Sequence, residues 1–151
     1  MHKIVFMLAL SSLVVGCNST GEARDETTGF KYRHTGGELW KQLRSEVLEV
    51  WRIDSEDRRV GEITTAWDVR LHPMTRFGRR HRLKITLDGT DEEGYTVLAS
   101  QETEMNANQG NPLVASEAEW EQVNADGALA QRFLFKFHRR INPPKSWREV
   151  R

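Results

Sequence analysis

Cysteine occurs only once in these 151 residues, at position 17, so no disulfide can staple the fold. Long apolar runs are just as scarce. The longest, from Ile4 to Val15, is about a dozen residues, well below the roughly 20 that span a bilayer as a helix. Neither sign of charge is in excess, with 22 Lys and Arg against 22 Asp and Glu, which argues against a general binder of polyanions. Zinc-type spacing is missing: none of His34, His72, His81 and His138 stands three or four residues from another histidine, and no second cysteine can join them. Each reads as a surface residue. No Gly-x-Ser-x-Gly elbow, Ser-x-x-Lys pair or phosphate loop is present, and there is no internal repeat. Asp88, Asp91, Glu92 and Glu93 crowd one turn without the spacing of a calcium loop, so they read as a solvated hairpin. The expectation is a protein that is no enzyme and carries neither a metal nor a dissociable cofactor.

What is present begins at the N-terminus. His2 and Lys3, the short apolar run and the small residues before position 17 make a secretory signal. Leu13-Val14-Val15-Gly16-Cys17 resembles the lipobox of bacterial lipoproteins, in which a Gly or Ala precedes an invariant cysteine. That resemblance implies cleavage after Gly16, a diacylglyceryl thioether on Cys17 and acylation of the new N-terminus. Because Asn18 rather than Asp follows, it also implies the periplasmic face of the outer membrane. Taken alone, the same residues also fit an ordinary signal with a stray thiol. An unpaired cysteine in an oxidising compartment is a hazard unless it is consumed, however. A periplasmic address removes nucleic acid as a partner and leaves the membrane, through the lipid, as one.

Beyond the signal at 1–16, residues 17–34 read as a lipidated N-terminus and flexible tether, polar and without apolar periodicity. Phe30 and Tyr32 are the residues there that a folded extension would use. Residues 35–142 form one α+β domain, large enough to bury a core without staples. Thr35 to Glu38 has capping-box spacing, and Leu39, Leu43, Val47 and Val50 then recur at helical intervals, joined by Trp40 and Trp51. Val60–Leu71 is rich in β-branched and aromatic residues, with Ile63, Thr65, Trp67, Val69 and Leu71 on one predicted face. Arg82–Leu87 alternates polar and apolar without exception, and Tyr95–Ala99 pairs back across the Asp88–Gly94 turn. Asn106–Pro112 is predicted to end the sheet. A second capping-box match, Ser116 to Glu119, predicts a short helix carrying Trp120 and Val123. A third helix from Asp126 lines up Leu129, Ala130, Phe133, Phe137 and Ile141 until Pro143-Pro144.

The pattern predicts a four-stranded antiparallel sheet with helices on one face. Trp40, Leu43, Gly61, Ile63, Thr65 and Trp67 resemble the helix-grip modules of envelope-assembly lipoproteins, including the C subunit of the β-barrel assembly machine. The resemblance implies a helix-grip-like two-layer sandwich and a scaffold or adaptor role in envelope assembly, with an envelope protein as partner.

The most unusual composition is Arg76-Phe77-Gly78-Arg79-Arg80-His81-Arg82-Leu83-Lys84. In a strand, Arg80, Arg82 and Lys84 share the face opposite the core. With Arg76 and Arg79 they are candidates for contact with lipid phosphates, lipopolysaccharide or an acidic partner, against a solvated, edge-protecting face. Trp40, Trp51, Trp67 and Trp120 fall on predicted inner faces. Trp147, in the tail at 143–151, is the candidate anchor for fold-back or for a partner. Beside the adaptor reading stands a ligand-binding module, with a pocket between helix and sheet for a lipid or small apolar molecule. An envelope enzyme comes third.

Overall fold

A computed structural model describes residues 27–74 and 77–143. Cys17, Gly16, Arg76 and Trp147 therefore lie outside the described residues. The frame is one long antiparallel hairpin. It pairs β5 (Arg79–Thr90) with β6 (Gly94–Asn106) over twelve rungs, from Arg79↔Met105 to Thr90↔Gly94. Each long strand carries two short ones along its outer edge. On β5 these are β3 (Glu62–Thr65) and β4 (Asp68–Arg70); on β6 they are β1 (Thr27–Tyr32) and β7 (Trp120–Val123). β2 (Ile53–Asp57) pairs with β3, completing a sheet of seven strands where four were expected.

Three expectations fail for identifiable reasons. The sheet begins at Thr27, inside the segment read as tether: Phe30 faces Val97 and Tyr32 faces Tyr95, and Tyr32 is only 2% exposed. The helix expected around Trp120 is instead a single 3-10 turn, Ala115–Glu117, followed by β7, which covers the edge of β6 at Thr103–Asn106. The long β6 takes in Ser100–Asn106, a polar stretch in which no apolar alternation announces a strand.

Two helices, α1 (Gly36–Leu48) and α2 (Ala128–Ile141), contribute to the core on one sheet face. Thr35 caps α1, its Oγ1 accepting from the Glu38 N–H at 3.4 Å and donating to the Glu38 carboxylate at 3.1 Å. Leu39, Trp40, Leu43 and Val47 of α1 meet Ala130, Phe133, Leu134 and Phe137 of α2 over Ile63, Leu83, Ile85, Val97 and Ala99. Phe137 meets Tyr32 edge-on, with centroids 5.6 Å apart. Glu46 of α1 is buried in this layer and ion-paired to Lys136 and Arg140 of α2, while Glu49 meets the same two cations at its exposed end. Those hydrogen bonds, Lys136 first and Arg140 second, hold the Glu49 carboxyl below its usual value.

Gly61 turns β2 into β3 with φ of +72°, and a Cβ there would strike the Leu87 carbonyl, so no other residue fits unstrained. Among the described residues no helix is long and apolar enough to cross a membrane.

Candidate ligand cleft

The core face of the hairpin changes character at one rung. From the turn inward it carries Leu87, Ile85 and Leu83 on β5, with Val97 and Ala99 on β6, all buried. Past Leu83↔Gln101 the same face continues with His81↔Thr103. Aliphatic residues there would extend the packed core; polar ones floor a cleft instead. This cleft, about 810 Å³ and open on one side, lies within the 300–1,000 Å³ range of small-molecule sites. Leu129 and Phe133 of α2 contribute one wall, and Trp51 and Ala66, flanking β2 and β3, contribute another. Arg52, Arg70, Arg132 and Lys136, with Asp68 and Asp126, supply its charge.

The floor is pre-organised. Gln101 Oε1 accepts the Leu129 N–H at 3.0 Å, tying the first turn of α2 to the sheet. This orients Gln101 Nε2 toward Thr103 Oγ1, to which it donates at 3.0 Å. Thr103 Oγ1 in turn lies 3.0 Å from His81 Nδ1. Burial, more than the nearby Arg79 and Arg70, pushes the His81 imidazole below its ordinary value of 6.5, although Asp68 partly opposes the shift. A neutral His81 accepting the Thr103 hydroxyl at Nδ1 carries its proton on Nε2. Asp126 Oδ1 accepts the Ala128 N–H at 3.1 Å, which anchors the start of α2 at the mouth.

The basic stripe of the sequence lies on the other side of the sheet, and it carries its own anions. Arg82 meets Glu102 at 2.6 Å, Arg80 meets Glu104 across the next rung but one, and Lys84 lies 3.8 Å from Glu62. Trp67 lies over both guanidinium groups, 4.4 Å from that of Arg80 and 4.5 Å from that of Arg82, and Trp120 covers Arg80 at 4.8 Å. Arg79 is exposed and points away from this ladder, opposite Met105. Trp67 and Trp120 are therefore not core residues. Between Thr64↔Lys84 and Asp68↔His81 the edge chain takes four steps against three on β5, a bulge that flips side-chain parity. Trp67, expected to point inward with Ile63 and Thr65, comes out on the arginine face.

The other histidines are scattered. His72 is exposed, and its Nδ1 accepts from the Met74 N–H at 3.1 Å. His138 stacks on Phe30 with centroids 4.0 Å apart. Among the described residues no cluster of three or more His, Cys, Asp or Glu is placed to hold a metal ion. Of the cleft residues, Arg52, His81, Gln101 and Arg132 were not singled out as site candidates, because nothing in linear spacing connects positions 52, 81, 101 and 132. The available signal is the swap from aliphatic to polar along one face at Gln101 and at the His81↔Thr103 pair, visible once the hairpin register is known. No family model and no curated protein matches this chain.

Proposed function

We propose that this chain is a non-catalytic, membrane-anchored lipoprotein of the cell envelope whose folded domain binds a small apolar or single-chain lipid molecule. The observation that carries the binding half is the cleft: a concave space beside the packed core, walled by Trp51, Leu129 and Phe133 over a hydrogen-bonded polar floor. The anchoring half rests on Leu13–Cys17. The test is to extract the full chain from its own membranes and weigh it by native mass spectrometry. A bound small molecule is expected on the wild type and absent from Ala128→Trp, which fills the mouth at an exposed helix position. The same adduct on both proteins would contradict the reading.

A second reading, the envelope-assembly adaptor, is favoured by the far end of the hairpin. There Met74, Phe77, Leu113 and Val114 are exposed on two loops that meet at Asn106. The Asn106 N–H donates to the Gly78 carbonyl and its Nδ2 to the Pro112 carbonyl. Exposed apolar side chains gathered at one end suit a protein partner. Phe77→Ser with Leu113→Ser should then release a protein that co-purifies with the wild type.

A further inference from the structure

We propose that the ligand of this cleft is anionic, a single-chain amphiphile whose acid head is held by Arg52 and Arg132; this rests on the cleft being a binding site at all. The inference follows from which cleft charges are already satisfied. Arg70 is held by Asp68 at 3.1 Å. Lys136 is engaged by Glu46 and Glu49. On the acidic side, Asp68 is taken by Arg70, and Asp126 accepts a backbone N–H at the start of α2. Arg52 and Arg132 remain, and among the described residues no carboxylate pairs with either.

On the outer face of the same sheet, Arg80 and Arg82 each have a glutamate opposite and a tryptophan above. The contrast assigns the two faces different tasks. The outer ladder is closed on itself, whereas the cleft lining includes two exposed arginines that have no carboxylate partner among the described residues. A planar guanidinium suits a carboxylate or phosphate, which it can grip with two parallel hydrogen bonds. The apolar part of such a ligand finds Trp51, Leu129 and Phe133, with Trp51 already edge-on to Phe133 at 5.9 Å. Neutral and anionic ligands therefore share the walls but not the arginines.

The experiment uses the full chain in a non-ionic detergent and two eight-carbon probes, octanoate and octanol, titrated calorimetrically. Ala128→Trp supplies the background of partition into detergent. Octanoate is expected to bind the wild type at least about tenfold more tightly than Arg52→Gln/Arg132→Gln, and to weaken as salt is raised. Octanol is expected to bind both proteins equally, which shows that the variant still folds and keeps its walls. Octanoate affinity unchanged in the double variant, or lost in parallel with octanol, overturns the proposal. If octanol shows no binding beyond that of Ala128→Trp, the cleft reading beneath it falls as well.

Discussion

Glu46 shows how much one buried charge depends on which partner is removed. Glu46 is 1% exposed, while Lys136 and Arg140 keep roughly half of their side chains in solvent. Removing both cations in Lys136→Met/Arg140→Met strands a buried anion and should cost about 3 kcal/mol. Glu46→Leu instead leaves two cations that can turn to water, and should cost less than about 1 kcal/mol or stabilise. Urea unfolding of the two variants checks the order; equal losses would show that the pairing is symmetric. His81 supplies a second test at this scale. Its neutral form is favoured in the folded chain, so as pH falls below about 6.5 the unfolded chain takes up the proton first. Stability from this residue is full above that pH and lost below it. His81→Gln should flatten the melting temperature between pH 7.5 and 5.5 relative to the wild type, and an unaltered slope would contradict the assignment.

Among the elements, what was legible in the sequence followed burial. The capping box at Thr35 and the stripe through Leu39, Leu43 and Val47 predict α1, and strict alternation in Arg82–Leu87 predicts the heart of β5, because one wet and one dry face leave a period. Ser100–Asn106 leaves none. It is a strand because of its partner: Glu102 and Glu104 stand where Arg82 and Arg80 need them, a complementarity between strands rather than a pattern within one. Trp67 was misplaced for a similar reason, since a one-residue bulge inverts every side chain after it. The cleft was hidden altogether, because its floor, walls and arginines come from distant stretches of chain. The outer ladder makes its own prediction. Arg80→Ala removes an ion pair with both side chains mostly buried and two ring contacts, and should cost about 2 kcal/mol. Arg82→Ala, with one ring and a wetter glutamate, should cost about half of that by the same denaturation assay.

For the molecule as a whole, the boundary of the folded unit decides how it can be handled. A chain starting at Thr35 looks sufficient on composition but discards β1 and with it Tyr32, whose hydroxyl is pushed up to about 12 by burial. Losing that ring should cost at least about 3 kcal/mol, the scale of deleting a large buried aromatic. A chain starting at Thr27 keeps every described element and should melt as the full chain does. If the two truncated chains melt alike, β1 is not part of the cooperative unit.

The hairpin thus divides the molecule between a dry core at its turn end and a cleft where the same face becomes polar. A backbone chemical-shift map of the isotope-labelled full chain, titrated with octanol, tests that division most directly. Saturable shifts that share one dissociation constant are expected at Trp51, His81, Leu129 and Phe133, abolished in Ala128→Trp. Shifts that fail to saturate, or that gather instead at Met74, Phe77 and Leu113, would contradict that division.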